Sequence, residues 1–311
     1  MAPALHARCD VKRRRQTSRT IQDHASRDID DAGLDSYGVI AEIARGGMST
    51  VYLGEHRATG ERVAIKALDA FYVGHSELVH RLLGEHELAQ RARHPGLIDI
   101  RCAEQTSHGI PYLVMEYLDG ESLRALIDRV RVPRTTILAI AAQIAGAVAA
   151  LHAAGVVHCD IKPDNVFVLS ELDAGGWPRV KVIDYGVART VHEPATSDHT
   201  IAGTPAFMPP EQWYGAPVAA SDVYALGVLL YELVTGRPLF SGSLPELMAA
   251  HCEQLPIRPS AICCDLDPDL DRLIVRMLAK DPAMRPAMTE VDAELSRLVP
   301  VQTSQALQAT G

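Results

Sequence analysis

The chain has 311 residues, of which 47% are hydrophobic and 22% charged, and its formal net charge is −9 at pH 7. That length and balance suit one large domain or two lobes sharing a cleft, with apolar material for a sizeable core and no need of covalent staples. The acidic balance argues against a dedicated nucleic-acid binder, which needs a basic face.

Residues 1–35 show no apolar periodicity and read as a tail. The first 36 residues hold seven Lys and Arg against six Asp, a net of +1, so the remainder carries −10. The basic run Lys12-Arg13-Arg14-Arg15 reads as a solvated segment, with contact to anionic lipid or nucleic acid as the competing reading. No apolar core follows those charges, so no secretory signal is read, and no run of 18 apolar residues is read as a membrane span. Six cysteines, at 9, 102, 159, 252, 263 and 264, lack metal or CxxC spacing. Free thiols and a cytoplasmic location are the expectation.

Residues 37–68 alternate apolar and β-branched positions, broken at Gly46-Gly47 and at Ala58-Thr59-Gly60, and predict strands. Residues 76–93 predict a helix on which Leu78, Leu82, Ala89 and Ala92 share one side, with Glu85 in the middle of that apolar arc. A carboxylate on a buried face is costly unless paired, so Glu85 calls for a cationic partner elsewhere. Residues 112–118 predict a strand broken by Asp119-Gly120, then helices over 121–129 and 134–154. Short strands and polar turns fill 156–186, and helices are expected near 219–235, 243–253, 269–280 and 288–298. Strands first and helices after predict an α+β fold in two lobes: a tail over 1–35, a small β-rich lobe and hinge over 36–118 with one main helix, a larger mostly helical lobe over 119–300, and a short tail over 301–311.

Four polar signals sit at strand or turn positions. In IARGGMSTVYLGEH, Gly46-Gly47 separates two apolar strands; such glycines let backbone N–H groups approach phosphates, although a Gly-Gly turn is also an ordinary hairpin. Lys66 closes the apolar strand VAIK and precedes Glu85 by 19 residues, and pairing the two accounts for both charges. In VVHCDIKPDNVFV, His158, Asp160, Lys162, Asp164 and Asn165 crowd one loop. That loop supplies a carboxylate to take a hydroxyl proton, a lysine to neutralise phosphate and an amide oxygen for a metal. In VKVIDYG, Asp184 follows four strand residues and lies 19 beyond Asn165, offering a second oxygen ligand for Mg2+.

With these signals in order, the chain resembles the eukaryotic-like protein kinase family, and in particular the serine/threonine kinases of bacteria, from about Tyr37 to Leu298. The resemblance implies ATP and Mg2+ as cofactors and protein serine or threonine hydroxyls as acceptors, with autophosphorylation through self-association. It implies that Ala44, Arg45, Gly46, Gly47, Met48, Ser49 and Val51 cover the phosphates, and that Lys66 contacts them while paired with Glu85. Asp160 would accept the substrate proton, Lys162 would neutralise the transferring group, and Asn165 and Asp184 would bind Mg2+. Glu116 to Leu118 would meet adenine at the hinge, Met115 would gate the space behind, and Val51, Ala64 and Phe167 would sandwich the base. Gly203-Thr204-Pro205 resembles the substrate-docking segment, Glu211 would pair with Arg285, and Asp222 would brace the catalytic loop.

Three positions depart from the pattern. Ala44 and Ser49 stand where the phosphate loop usually has glycine, which implies weaker ATP binding or slower turnover. Cys159 replaces the arginine that couples a phosphorylated activation loop to the site, so phosphorylation at Thr190, Thr196, Ser197 or Thr200 is not expected to be the main switch. Cys159 reads as a small buried residue, with a redox-sensitive thiol as the other reading. Tyr185 replaces phenylalanine and suits the place if its hydroxyl finds a partner. The competing function is a pseudokinase-like nucleotide-binding scaffold; the presence of Lys66, Glu85, Asp160, Asn165 and Asp184 favours the enzyme.

Overall fold

The computed structural model describes residues 33–190 and 203–301. The residues of the N-terminal tail up to 32, Thr196, Ser197 and Thr200, and residues 302–311 lie outside that range. The chain divides into two compact units, one running up to Leu83 and including Ile100–Tyr117, the other comprising Gly84–Asp99 and everything from Leu118 onward.

The first unit is built on a five-stranded antiparallel sheet. Its strands are β1 (Tyr37–Arg45), β2 (Ser49–His56), β3 (Arg62–Leu68), β4 (Ile100–Gln105) and β5 (Pro111–Glu116), in spatial order β1-β2-β3-β5-β4. Helix α1 (Ser76–Arg91) lies between β3 and β4 in sequence. The period of two sorts the side chains cleanly. Tyr52, Val63, Ile65, Ala67, Tyr112 and Val114 form a buried cluster with Leu34 on one face. Their neighbours in sequence point to the other.

Strand β4 was not anticipated. Its sequence IRCAEQ mixes exposed polar residues with Ile100, and it pairs only with β5 at the sheet edge, with a register shift between Ile100 and Cys102. Edge strands need only one apolar face and accept charge on the other; Arg101 pairs with Glu61 at 2.6 Å.

In the second unit, β6 (Gly120–Ser122) pairs with β8 (Val166–Leu172), and β8 with β9 (Pro178–Val182). The expected break at Asp119-Gly120 is instead the start of β6. Gly120 takes φ +153, and a Cβ there would lie 2.1 Å from the Val168 carbonyl oxygen, so glycine lets the strand close in rather than ending it. Ser122 caps α2 (Leu123–Arg129) by accepting the Ala125 N–H. Helix α3 (Arg134–Ala153) is the central strut, with Ile140, Ile144, Ala147, Val148 and Leu151 fully buried, and it ends at Gly155 with φ +72. By length and mean hydropathy this helix could cross a membrane, although Gln143 and His152 interrupt it and it holds no unbroken run of 18 apolar residues. Most of it is buried inside the unit, because alanines and aliphatic residues let β9 and later helices pack close.

A short pairing of β7 (Val156–Val157) with β10 (Arg189–Thr190) brackets the loop between them. The remaining helices are α4 (Pro210–Trp213), α5 (Ala219–Thr235), α6 (Leu244–Glu253), α7 (Pro259–Ile262), α8 (Pro268–Met277) and α9 (Met288–Leu298). Buried α5 carries Leu226, Leu229 and Leu230 with no exposed surface and stops at Gly236 in the left-handed conformation.

Candidate active site

In the first unit the register decides which predicted residues share a face. Val51 lies opposite Lys66, Lys66 opposite Leu113, Ala64 opposite Met115, and Ala44 opposite Val51. Directly paired residues, and residues two apart, point the same way. Ala44, Val51, Ala64, Lys66 and Met115 therefore share the face opposite the buried tyrosine–isoleucine cluster. Arg45 pairs with Thr50 on the other face, and its guanidinium bonds Glu42 at 2.7 Å. Gly46, Gly47 and Met48 make the β1–β2 turn, closed by the Gly46 N–H donating to the Ser49 carbonyl at 2.8 Å. Glu116 ends β5 opposite Val63, and the passage between units falls just after it, between Tyr117 and Leu118.

The second unit gathers the rest. Asp160 is 7% exposed, and its carboxylate is the hub of a polar triangle. Oδ1 accepts the Thr204 hydroxyl at 2.8 Å. Oδ2 accepts Lys162 Nζ at 2.7 Å and Asn165 Nδ2 at 2.9 Å. Lys162 also donates to Thr204 Oγ1 at 2.7 Å, so the hydroxyl donates to the acid and accepts from the base. A carboxylate has about four acceptor positions; among the described residues one on Oδ1 remains for an incoming hydroxyl.

Backbone bonds tie this loop to Asp184. The Ile183 N–H donates to the Asn165 carbonyl at 2.9 Å. His158 Nδ1 accepts the Asp160 N–H at 3.3 Å, which leaves Nε2 to donate to the Ile183 carbonyl at 3.3 Å. Asp184 Oδ1 accepts the Gly186 N–H at 3.1 Å. Glu85 is buried at 3% exposure; a Cβ on Gly186 would stand 3.1 Å from Asp184 Oδ1 and 3.2 Å from Glu85 Oε1. Glycine at 186 is thus what lets the two carboxylates approach the same backbone point. Phe167 lies on β8 opposite Lys181 and beside Ser122 of β6.

Cys159 and Asp184 are the non-glycine residues with positive φ among the described residues, at 65° and 69°. Each such conformation costs about 1–2 kcal/mol and survives only where the surroundings over-determine it. At Cys159 that work falls to Asp222, fully buried on α5. Its Oδ1 accepts the Cys159 N–H at 2.8 Å, and its Oδ2 accepts the His158 N–H at 2.9 Å and meets His152 Nε2 at 2.8 Å. Burial alone would raise the Asp222 carboxyl; the hydrogen bond and charge of His152, with His158 and its backbone N–H, outweigh it and hold the group below the usual carboxylate range. The expected brace is therefore observed. So is the Glu211–Arg285 pair, two-pronged at 2.7 and 2.9 Å, with the Arg285 side chain fully buried.

Cys159 is buried. Tyr185 is buried at 2% exposure, but its hydroxyl reaches no hydrogen-bond partner among the described residues, so the condition set for it is not met. Burial pushes its phenol up. Two functional contacts had no sequence signal: the Thr204 hydroxyl between Asp160 and Lys162, and Gln212 Nε2 donating to the Cys159 carbonyl at 2.7 Å.

The two residues expected to hold a metal, Asn165 and Asp184, have the oxygen chemistry of hard-cation ligands. Asn165 commits its nitrogen to the Asp160 carbonyl and carboxylate, which turns Oδ1 into the atom available to a cation, and Asp184 adds a carboxylate. No group of three or more His, Cys, Asp or Glu side chains suited to a metal occurs among the described residues. Two oxygen ligands from protein, completed by phosphate and water, is a Mg2+ arrangement rather than a zinc one.

Residues 37–294 match the protein kinase domain, and the chain belongs to the protein kinase family. It is 38% identical over 254 residues to the serine/threonine-protein kinase Pkn1 of Myxococcus xanthus, covering 80% of this chain and 36% of that protein. It is 37% identical over 263 residues to the serine/threonine-protein kinase PknL of Mycobacterium bovis, covering 83% of this chain and 64% of that one. A probable serine/threonine-protein kinase PknB of Corynebacterium glutamicum is 33% identical over 290 residues, 88% of this chain and 44% of its own. The chain therefore matches about a third to two thirds of the length of these relatives.

Proposed function

We propose that this chain transfers the γ-phosphoryl group of ATP to serine or threonine hydroxyls of protein substrates, itself included. The carrying observation is the Asp160 carboxylate held by Lys162, Asn165 and Thr204 with an acceptor position left on Oδ1. A substrate hydroxyl placed there gives its proton to Asp160 as its oxygen bonds the γ-phosphorus, and the bond to the β–γ bridging oxygen breaks to release ADP. Lys162 offsets charge on the transferring group. Asn165 Oδ1 and the Asp184 carboxylate would hold Mg2+, which when bound neutralises the phosphate oxygens. The pairing of Lys66 with Glu85, implied by the resemblance, belongs to this reading; a carboxylate as buried as Glu85 needs a counter-charge. Catalysis is then positioning and electrostatics.

The test is incubation with labelled Mg-ATP and a generic protein substrate. Asp160→Asn is expected to lose about a hundredfold or more of the transfer rate. Equal, minimal transfer by wild type and variant sinks the enzyme reading and leaves the nucleotide-binding scaffold. No feature of the catalytic loop favours that scaffold.

A further inference from the structure

We infer that Gln212 is a positioning residue for phosphoryl transfer, fixing the peptide that aims Asp160 through a neutral hydrogen bond from the docking segment. The inference rests on the phosphotransfer reading above and adds how the docking segment and the catalytic carboxylate are coupled.

The peptide between Cys159 and Asp160 is held at both ends. Its carbonyl accepts Gln212 Nε2 at 2.7 Å, and its N–H donates to His158 Nδ1 at 3.3 Å. Turning that plane swings the Asp160 side chain directly, because Asp160 is the next residue. The preceding N–H, that of Cys159, is held by Asp222 from α5. Gln212 therefore supplies a bond to this strained pair of peptides from the segment following Gly203-Thr204-Pro205.

The surroundings are built around that bond. Gln212 is 5% exposed. Gly203 has φ +124, and a Cβ there would lie 2.5 Å from Gln212 Nε2 and 3.2 Å from the Cys159 oxygen. The docking segment thus passes over the hydrogen bond at a distance only glycine allows, and shields it from water, where such a bond gains strength. One residue on, the Thr204 hydroxyl reaches Asp160 itself. At position 159, where a cation would answer a phosphate, a buried thiol side chain donates instead to the Val157 carbonyl at 3.6 Å. The coupling at this point is an amide–carbonyl bond, which no phosphate switches.

Gln212→Met keeps length and removes the donor. It is expected to lower kcat about tenfold, or about 1.4 kcal/mol of barrier, while KM for ATP and peptide changes by less than about twofold. Gln212→Glu restores a donor only when protonated, and burial raises its pKa. Its kcat relative to wild type is expected to climb as pH falls from about 8 to about 6. Backbone hydrogen exchange across residues 158–165 should quicken in Gln212→Met, with melting temperature recorded alongside. Wild-type kcat and exchange in Gln212→Met overturn the inference. So does a Gln212→Glu defect that is the same at every pH. If wild type transfers no phosphate, the phosphotransfer reading falls and the exchange measurement alone decides the role of Gln212.

Discussion

Two reversals of the chain figure in the proposed phosphate chemistry, and they are held in different ways. Between Arg45 and Ser49 the turn closes on one backbone bond, from Gly46 to Ser49, and the Met48 carbonyl accepts the Asp69 N–H. Between His158 and Asn165 the loop is held by side chains from 42 to 64 residues away, half-buried Thr204 and buried Gln212 and Asp222. The turn has no positive φ, and a Cβ on Gly47 would meet nothing within 4 Å. Gly47 is therefore not demanded by its conformation, whereas a Cβ on Gly46 would stand 3.2 Å from the Ser49 carbonyl oxygen. The catalytic loop holds a strained Cys159, and each of its anchors is part of keeping it strained. Sequence departures at the turn should thus act on nucleotide affinity, and those at the loop on stability and rate.

Four experiments test that contrast. Lys66→Met, on the sheet face shared with Val51 and Ala64, should cut transfer by about a hundredfold or more. Its melting temperature should stay close to wild type; a collapse of the fold would place Lys66 among the structural anchors. Asp222→Asn puts an amide N–H against one of the N–H groups that the carboxylate now accepts. Loss of about 2–4 kcal/mol in denaturant unfolding is expected, since buried donors left unpaired cost about 1–3 kcal/mol each. The Asp222 carboxyl is held below its unfolded value. Its contribution is complete above about pH 4 and disappears as pH falls through the folded value. Acid unfolding of Asp222→Asn should therefore be less steep in that window than that of wild type.

Tyr185→Phe removes a buried hydroxyl with no described partner. A gain of about 1 kcal/mol, with activity retained, is expected. A loss would mean the hydroxyl has found a bound water. Ser49→Gly should leave stability within about 0.5 kcal/mol and lower KM for ATP a few-fold at most. A large stability change there would erase the distinction between the two reversals.

The crowded polar loop at 158–165 was legible from the sequence itself, while the roles given to most of the candidate site came from the resemblance. Glu85 was legible from a carboxylate on an apolar helical face, and it is buried as that pattern requires. The Asp222 brace and the Glu211–Arg285 pair were expected from the resemblance to the family. The contacts of Thr204 and Gln212 were not legible, because their partners lie 44 and 53 residues away, although Thr204 itself stood within the segment singled out at 203–205. Strand β4 escaped because an edge strand shows only half an apolar pattern, and β6 because the same glycine signals a break or a close approach. Helix α3 was legible as a helix; its apolar composition suits a buried strut and a membrane span alike, and its neighbours distinguish the two.

The Glu211–Arg285 pair sets a boundary for anyone preparing fragments of this chain. Arg285 also donates to the Ala279, Ala220 and Lys280 carbonyls, so one guanidinium fastens the end of the docking segment to the start of α5 and to the turn that follows α8. A fragment cut before position 285 would keep every residue of the catalytic loop and leave Glu211 with its main counter-charge gone. It would express as a protein with the whole catalytic sequence and a loosened floor beneath it. Poor yield or weak activity from such a fragment would report the cut rather than the chemistry.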